Sequence, residues 1–336
     1  MKLLFIVSNQ TNPYLNVAVE NYLVSLDRPD TVTFYLWKNH RTVVVGQNQN
    51  PFTECNVNLL EKDGGYVMRR STGGGAVYHD DGNLNFSFVV PPALYDLQRQ
   101  FGVIMKAVES YGLHCEVSGR NDVLCDGRKF SGNAFSRGTH QYLHHGTLLI
   151  AGNVEDMRRY LIVKQSKLSR HGVASVQSRV VNLSQLAPIT AENIVAPLVE
   201  AFEKEYGQKT EVQSFETISQ TPEVRALYDK YSSDEWLFGR WRSFKAQRQA
   251  SFPWGEVEMS VSIDEERHVI TDVQLSTDSL QATLASEVRA LLVGASSIEP
   301  PQLPSRIEGE LRNMLSDIFA LLYDTQSNFF TSAATK

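Results

Sequence analysis

The sequence predicts an α+β fold with a mixed or antiparallel sheet, and three observations lead to this prediction. Two β-rich runs, residues 33–37 and 42–46, are separated only by a polar turn, which is typical of a hairpin. Helical patterns lie on both sides of the strand patterns, over residues 13–26 and 93–111. Residues 83–90 alternate between apolar and polar side chains. Adjacent strands between helices favour α+β over a parallel doubly wound fold.

The helix patterns carry recognisable ends. Asn12 can cap the first helix, and Pro13 suits its first position. The second helix pattern stops at Gly112, a residue common just after a helix. The segment 190–207 also reads as a helix, but Pro197 lies inside it. Because proline cannot donate a backbone hydrogen bond, this helix either kinks or begins there.

Length and punctuation predict two domains in the 336 residues. The segment 240–250 holds no acidic residue and no helix punctuation. A new set of strand and helix patterns follows it: residues 255–263, 268–276, 279–293 and 304–323. We therefore expect a boundary near residue 245, with one domain over 1–245 and a smaller one over 246–336.

Composition excludes several classes of protein. The formal net charge of −6 argues against duplex nucleic acid as the main partner. The apolar start is too short for a signal sequence, and no stretch approaches 18 apolar residues, so we expect no membrane association. The three cysteines, Cys55, Cys115 and Cys125, form no CxxC pair. A reduced cytoplasmic protein, with a monomer as the simplest assembly, is the resulting expectation.

Residues 69–83, "RRSTGGGAVYHDDGN", contain three consecutive glycines between two strand patterns. Successive glycine N–H groups can form a concave nest for an anion. Arg70, at the end of the preceding strand, adds a charged fork that suits phosphate or carboxylate. The sequence contains no GK[ST], and a strand follows in place of a helix, so this is neither a Walker loop nor a dinucleotide fingerprint. A sharp turn without any ligand is the alternative.

Residues 118–136, "SGRNDVLCDGRKFSGNAFS", form a second constellation. Asp126-Gly127 is a two-residue hairpin signal, which places Lys129 on a strand just beyond the turn. The small Ser131-Gly132 segment beside it suits close approach of a ligand. Lysine is a compact charge that can hold a carboxylate in line with a phosphate and neutralise charge on the transferring phosphorus. A solvent-facing lysine is the alternative.

Two adjacent histidines, His144 and His145, begin a strand-like run. Together with His79 and the two aspartates that follow it, they suggest a metal site. Because adjacent residues on a strand point to opposite faces, we disfavour this interpretation. We expect the pair to shape the wall of a pocket.

The stretches "RRSTGGGAVYHDDGNLNFSF", "SGRNDVLCDGRKFSGNAFS", "HHGTLLI" and "SVQSRVVNLS", in this order, closely resemble bacterial lipoate–protein ligase A, of the biotin/lipoate ligase superfamily. The stretches "NVAVENYL", "LWKNHRTVVVGQNQNPFTECN" and "EWLFG" also resemble that family. The resemblance runs over nearly the whole chain, with a small C-terminal accessory domain from about residue 250. Tyr78 fills a position at which the family also tolerates Phe.

The resemblance implies a two-step enzyme. Lipoate and Mg-ATP would give lipoyl-AMP and pyrophosphate, and the lipoyl group would then form an amide with one lysine of a lipoyl domain. The implied partners are acyltransferase subunits of 2-oxoacid dehydrogenase complexes and the H protein of glycine cleavage. The implied cofactors are ATP and Mg²⁺, the latter bound with ATP and not at a stable protein site. The accessory domain would swing between the two steps, with the basic stretch 240–248 near the hinge.

The resemblance also implies roles for particular residues. Arg70 would contact nucleotide phosphate, and Lys129 would touch both the nucleotide and the lipoate carboxyl group. The resemblance further implies that the nucleotide binds along the backbone of Gly75, Ala76, Val77 and Tyr78. Asn121 and Asp122 would lie near adenine or Mg²⁺. Residues 42–46, Gly73, Gly74 and Gly132 would line a tunnel for lipoate.

Three alternatives remain from the sequence. An octanoyl-ACP-dependent acyltransferase of the same fold would need a nucleophilic thiol, and Cys55 is the candidate for it. Biotin ligation is disfavoured because the glycine stretch resembles the lipoate type. A non-catalytic lipoate-binding protein would bind lipoate without ATP-dependent release of pyrophosphate.

Overall fold

The computed structural model describes residues 1–119, 121–162, 180–239, 247–264, 267–297 and 299–323. The strands, in chain order, are β1 (Lys2–Val7), β2 (Thr31–Trp37), β3 (Thr42–Val45), β4 (Tyr66–Arg69), β5 (Val77–His79), β6 (Asn83–Val90), β7 (Cys115–Ser118), β8 (Asp122–Cys125), β9 (Arg128–Arg137), β10 (Tyr142–Leu149), β11 (Thr210–Val212), β12 (Gln247–Phe252), β13 (Gly255–Asp264) and β14 (Val269–Thr277).

The α-helices, in chain order, are α1 (Pro13–Ser25), α2 (Pro51–Glu54), α3 (Val57–Lys62), α4 (Leu97–Glu109), α5 (Val154–Tyr160), α6 (Val195–Tyr206), α7 (Phe215–Ser219), α8 (Pro222–Ser232), α9 (Asp234–Leu237), α10 (Leu284–Leu292) and α11 (Gly309–Tyr323). None of the helices in these described ranges is long and apolar enough to cross a membrane.

An eight-stranded mixed sheet forms the centre of the N-terminal part, in the order β11-β1-β2-β6-β10-β9-β8-β7. Strand β1 runs parallel to β2 and β11, and the other neighbours are antiparallel. A three-stranded sheet, β4-β3-β5, packs beside it, and β12-β13-β14 form a third sheet. The predicted α+β class with a mixed sheet is confirmed.

The predicted hairpin between residues 33–37 and 42–46 is wrong. Strand β2 pairs with β1 on one side and with β6 on the other, whereas β3 pairs with β4 and β5. All seven residues of β2 are buried, as expected for a strand in the interior of a sheet. Both hydrogen-bonding edges of β2 are already occupied, so the polar turn carries the chain to another sheet.

The helix ends follow local chemistry closely. Asn12 Oδ1 accepts hydrogen bonds from the N–H groups of Tyr14 and Leu15, which confirms the predicted cap of α1. Helix α4 begins at Leu97 and not at residue 93, because Asp96 caps it. Helix α6 begins at Val195, so Pro197 lies in its first turn, where a missing N–H is harmless.

Apolar packing covers both faces of the large sheet. On one face, α4 and α6 pack over Phe34 and Phe88, whose rings stack with centroids 4.5 Å apart. On the other face, α1 and α8 pack over Tyr35. Strand β6 alternates as predicted, since Phe86 joins the first core and Asn85 faces the opposite side, where a cavity lies.

The C-terminal part has its own core between β13, β14, α10 and α11. The two predicted strands of this region are present, whereas β12 was not predicted. The end of β14 packs against the N-terminal part, where the N–H of Thr277 donates to Asn48 O at 3.0 Å. This contact brings the C-terminal part to the edge of the glycine-rich segment.

Candidate active site

The glycine loop, residues 71–76, connects β4 to the short strand β5, which precedes β6. Gly74 has a φ of +96°, a conformation that favours glycine. Close packing adds a second reason for glycine at this position, because a Cβ on Gly74 would lie 2.8 Å from Arg70 Nη2. On its other side, Gly74 O would lie 2.1 Å from a Cβ on Gly46. The triple glycine therefore allows the loop backbone to pack directly on backbone and on Arg70.

Arg70 is buried and holds the glycine loop from beneath. Its Nη2 donates to Gly73 O at 2.7 Å and to Gly75 O at 2.9 Å, and its Nε donates to Thr72 Oγ1 at 3.1 Å. Burial lowers the pKa of the guanidinium to about 10, so it stays charged at neutral pH. The predicted charged fork thus lies at the loop, with much of its donor capacity used on loop carbonyls.

The predicted backbone nest is partly occupied from the C-terminal part. The N–H of Gly74 donates to Ser279 O at 2.7 Å. Gly73 lies against the same segment, because a Cβ there would be 2.4 Å from Ser279 O and 2.6 Å from Leu280 O. One donor of the nest is therefore available to an anion only when this contact opens.

The predicted hairpin between β8 and β9 is confirmed, with Asp126 and Gly127 at φ values of +49° and +71°. Lys129 lies on β9 just beyond the turn, and its Nζ is 2.7 Å from Asp122 Oδ1. About a third of each side chain is exposed. Lys129 therefore has an acidic partner and remains accessible to a ligand.

A cavity of about 200 Å³ joins the glycine loop to this hairpin. Seven of the predicted site residues line it: Arg70, Gly74, Gly75, Ala76, Val77, Asn121 and Lys129. Gly132 and Val44, both expected in the lipoate tunnel, also line the cavity, together with the apolar side chains of Val17 and Met68. The structure thus brings most of the predicted residues to one cavity with apolar walls.

Some predicted residues are placed differently. Of the expected tunnel segment 42–46, only Val44 lines the cavity, because Val43 and Val45 point into a separate apolar core. Gly73 packs on the C-terminal segment and not on the cavity. The ring of Tyr78 packs against Tyr160, with centroids 5.6 Å apart, in a separate small core. Asp122 is outside the lining and reaches the site through Lys129. Their roles toward a ligand stay predictions.

The sequence analysis missed two buried polar side chains of the cavity, Glu20 and Asn85, and considered a third, His79, only as a metal ligand. We call this buried part of the lining the closed end of the cavity. Glu20 is 0% exposed, Asn85 is 1% exposed and His79 is 4% exposed, and all three line the cavity with Trp37. A signal was available, since Asn16 and Glu20 are four residues apart on the buried face of α1. Polar residues on a face that should be apolar indicate a buried polar site.

Hydrogen bonds with a defined direction begin at this closed end. The indole of Trp37 can only donate, so Ser87 Oγ accepts from its Nε1 at 3.0 Å. The Ser87 hydroxyl therefore donates to Glu20 Oε1 at 2.5 Å. The same carboxylate oxygen accepts from His145 Nδ1 at 2.8 Å. The carboxylate thus fixes which ring nitrogen of His145 carries a proton.

The chain of hydrogen bonds continues to the glycine loop. With a proton on Nδ1, a neutral His145 uses Nε2 as an acceptor, and Thr72 Oγ1 lies 2.8 Å from it. Because Arg70 only donates to Thr72, the threonine hydroxyl is free to donate to His145. One directed network therefore connects the closed end of the cavity to the arginine that holds the loop.

The two histidines at the start of β10 face opposite sides of the sheet, as expected, but the expectation that both shape the wall of a pocket is wrong for His144. His145 lines the cavity, whereas His144 is buried among aromatic rings and contacts Gln100 Oε1 and Asn133 Oδ1, each at 2.9 Å. Burial lowers the pKa of His144 to about 3, so its ring is neutral. Within the described part of the chain, no three His, Cys, Asp or Glu side chains are grouped to hold a metal ion.

Cys55, the alternative nucleophile, is buried at the end of α2 and packs in a small apolar core. Burial raises the pKa of its thiol to about 12. Cys55 does not line the cavity. Its environment therefore suits packing better than nucleophilic attack.

Two family models match the chain. The lipoyl protein ligase A/B catalytic domain matches residues 12–203, and the bacterial lipoate protein ligase C-terminus matches residues 242–308. The first match contains the glycine loop and Lys129. The second contains the segment that packs on the glycine loop.

The chain is also similar to named proteins. It is 34% identical to lipoate-protein ligase A of Psychrobacter cryohalolentis, over 84% of this chain and 86% of that one. Its fold matches P. falciparum LipL1 in complex with lipoate, with a TM-score of 0.82 and 25% identity over 96% of this chain and 99% of that one. It also matches a bi-partite lipoate protein ligase from Thermoplasma acidophilum, with a TM-score of 0.62 and 25% identity over 72% of this chain and 97% of that one. The chain belongs to the lipoate-protein ligase A family.

Proposed function

We propose that this protein activates lipoate with ATP to lipoyl-AMP and pyrophosphate, and then transfers the lipoyl group to a lysine of a lipoyl domain. The observation that carries the proposal is a single cavity in which apolar walls, the glycine loop and Lys129 meet. An apolar cavity suits a hydrocarbon chain, and a lysine beside a glycine-rich backbone suits a carboxylate next to a phosphate. Membership of the lipoate-protein ligase A family supports the same activity.

In the first step, Lys129 holds the lipoate carboxylate at the open side of the cavity. A carboxylate oxygen attacks the α-phosphorus of ATP, a new oxygen–phosphorus bond forms, and pyrophosphate leaves with the electrons of the broken bond. The ammonium exchanges Asp122 for the substrate and neutralises charge on the transferring phosphorus. The partial exposure of this ion pair supports such an exchange.

The nucleotide lies along the backbone of Gly75, Ala76, Val77 and Tyr78 in this proposal. Arg70 keeps that backbone in place through its bonds to Gly73 O and Gly75 O. Its Nη1, which donates to Val44 O at a longer 3.3 Å, is the nitrogen best able to turn to a phosphate. Whether or not Nη1 turns to the ligand, the buried positive charge of Arg70 beneath the loop attracts a phosphate group.

Magnesium bound with ATP would offset the charge of the phosphates, and Asp122 and Asn121 are the residues that would lie near it. Asp122 offers the carboxylate oxygen that Mg²⁺ prefers, and Asn121, which lines the cavity, offers an amide oxygen nearby. The Asn121 amide nitrogen already donates to Asn133 O at 2.8 Å, which leaves its oxygen for a ligand. These residues suit adenine or phosphate-bound magnesium.

In the second step, the ε-amine of an acceptor lysine attacks the carbonyl carbon of lipoyl-AMP, an amide forms and AMP leaves. The Thermoplasma acidophilum ligase is described with its E2 lipoyl domain, which supports lipoyl domains as acceptors here. We propose acyltransferase subunits of 2-oxoacid dehydrogenases and the glycine cleavage H protein as partners. We also propose a reducing cytoplasm, which the three buried free cysteines support, and a monomeric protein.

The domain division completes the proposal, with a catalytic domain over residues 1–245 and an accessory domain over 246–336. Most of the expected hinge, residues 240–246, lies outside the described residues. The contact of Ser279 with Gly74 supports an accessory domain that moves before a nucleotide uses the whole glycine loop. Such movement would shield the adenylate from water and later present it to the acceptor.

The test is the intact mass of an apo lipoyl domain after incubation with this protein, lipoate and Mg-ATP. A lipoyl-sized mass gain that requires ATP is expected. A parallel reaction replaces lipoate and ATP with octanoyl-ACP. A mass gain only in the second reaction would show that the protein is an acyltransferase and not a ligase. Lipoate binding without release of pyrophosphate would show that it is a non-catalytic binding protein.

A further inference from the structure

Three buried polar atoms at the closed end of the cavity have no hydrogen-bond partner among the described residues. They are Glu20 Oε2, His79 Nε2 and Asn85 Nδ2. Their side chains belong to three different elements, α1, β5 and β6, yet all three line the same cavity. Buried polar atoms normally have partners, so three unpaired ones on one wall indicate a ligand that interacts with them.

The hydrogen bonds around His79 decide which of its nitrogens carries the proton. The amide nitrogen of Asn16 donates to the carbonyl oxygen of Lys38 at 2.8 Å, which fixes the orientation of that amide. The same Asn16 nitrogen donates to Asn39 Oδ1 at 3.2 Å. This contact identifies the oxygen of the Asn39 amide, so the other polar atom of that amide is Nδ2. That nitrogen lies 3.3 Å from His79 Nδ1 and donates to it.

His79 Nδ1 is therefore an acceptor without a proton. Burial, together with the positive charge of Arg70, lowers the pKa of His79 to about 3, so the ring is neutral. A neutral imidazole carries one proton, which must then lie on Nε2. The unpaired atom of His79 is consequently a donor.

Asn85 supplies further donors. Its Oδ1 accepts from Asn83 Nδ2 at 2.9 Å, which places its own NH₂ group on the free side of the amide. The closed end of the cavity thus presents N–H groups from two rigidly held side chains. Both side chains are almost completely buried, so bulk water does not reach them.

We infer that the closed end of the cavity recognises the dithiolane ring, with Asn85 and His79 donating to its sulfur atoms, so that the protein favours lipoate over octanoate. The inference rests on the proposed function, which places the carboxylate at Lys129 and the tail at the closed end. Divalent sulfur is a weak acceptor, whereas a terminal methyl group accepts no hydrogen bond. Octanoate would leave the donors unpaired or force the cavity to retain water beside a methyl group.

The third unpaired atom, Glu20 Oε2, adds a second selection against charged tails. Its carboxylate belongs to a directed network and cannot turn away without breaking the bonds to Ser87 and His145. A ligand with a second carboxylate at its far end would meet this oxygen at close range. Two acceptor oxygens would then face each other in a buried site with no donor between them, which leaves both unsatisfied.

The test compares the dissociation constants of lipoate and octanoate for the full chain without ATP, measured by calorimetry. Lipoate is expected to bind about tenfold more tightly, since its sulfur atoms are weak acceptors. The variant Asn85→Leu keeps the size of the side chain and removes its donors. It should weaken lipoate binding, leave octanoate binding nearly unchanged and so bring the ratio toward one.

Asn21→Leu on α1 is the matched control, because it makes the same substitution at a side chain that donates to Val17 O and does not line the cavity. It should preserve the ratio. If Asn85→Leu does not fold, as judged by thermal melting, His79→Phe removes the other donor at similar ring size and should also lower the ratio.

Equal binding of the two acids by the parent protein would overturn the inference. An equal weakening of both acids in Asn85→Leu and His79→Phe would overturn it as well, and so would no measurable binding of lipoate. The proposed function fails by a different result, namely no ATP-dependent mass gain on a lipoyl domain. If the protein shows the expected ratio of dissociation constants but no ATP-dependent mass gain, the inferred specificity holds and the proposed ligase activity is wrong.

Discussion

Lys129 Nζ lies 2.7 Å from Asp122 Oδ1, across the hairpin that joins β8 to β9 and at the edge of the cavity. The two strands shift their pairing register between Val123 and Leu124, so Lys129 sits opposite Leu124 and Asp122 opposite Gly132. The irregularity brings the two charges together although they are not direct cross-strand partners. A lysine held by an exposed carboxylate is positioned in advance and can still exchange its partner.

Lys129→Ala should reduce lipoate-dependent release of pyrophosphate by at least about 100-fold, because charge stabilisation at the transferring phosphorus is lost. The fold should persist, since the side chain is partly exposed. The assay is pyrophosphate release with saturating lipoate and ATP. Lys106→Ala, which removes an ion pair between Lys106 of α4 and Glu205 of α6, is the control and should retain parent activity. Parent-like release by Lys129→Ala would remove Lys129 from the mechanism.

Arg70→Lys should raise the KM for ATP about tenfold or more, with a smaller change in kcat. Lysine keeps the charge but cannot hold Gly73 O and Gly75 O together as the planar guanidinium does. Steady-state kinetics at varied ATP provide the measurement. An unchanged KM for ATP would show that the shape of the glycine loop does not depend on this fork.

Thr72→Val should loosen the connection between His145 and Arg70 at nearly constant volume. Thr72 is fully buried, so the loss leaves His145 Nε2 without its donor and should destabilise the protein by about 1–3 kcal/mol. Urea unfolding measures this loss, and the KM for ATP should rise in parallel. Thr33→Val, in β2 and away from the cavity, is the matched control with a small expected effect. Equal effects of both variants would contradict the network.

Gly73→Ala should disturb the contact between the glycine loop and the C-terminal segment. A Cβ at this position would lie 2.4 Å from Ser279 O, closer than a carbon–oxygen contact permits. We expect a loss of about 1–3 kcal/mol in thermal or urea unfolding, the usual cost of overpacking. Gly102→Ala in α4, where the nearest atom would be 3.6 Å away, should be neutral or stabilising. A stable Gly73→Ala would mean that the contact separates at little cost.

The free energy of unfolding should fall as the pH is lowered from about 6.5 toward 3. Burial lowers the pKa of both His79 and His144 to about 3, while the unfolded chain titrates near the ordinary value of 6.5. Between these values the unfolded state binds more protons, so stability is lost on acidification at roughly 1.4 kcal/mol per pH unit for each histidine. Urea midpoints at pH 7 and pH 5 measure the slope. His144→Gln should flatten it, and an unchanged slope would assign the acid sensitivity elsewhere.

Local signals predicted the parts of the fold that depend on neighbouring residues. Asn12 caps α1 because its side chain reaches N–H groups two and three residues away. Asp126 and Gly127 form the predicted turn because the positive φ values that it requires depend only on those two residues. The hairpin expected between residues 33–37 and 42–46 failed for the opposite reason. Its strands find partners far along the chain, and proximity in sequence did not determine the pairing.

The sequence by itself determined the presence of the glycine loop, the strand position of Lys129 and the resemblance that carries the family. These depend on residue type and spacing, which are local. Only the tertiary structure decided that Arg70 turns its fork into the loop carbonyls, and that Glu20, His79 and Asn85 meet at one closed end. The physical reason is that hydrogen-bond partners and burial are set by which distant elements pack together, here α1, β5 and β6.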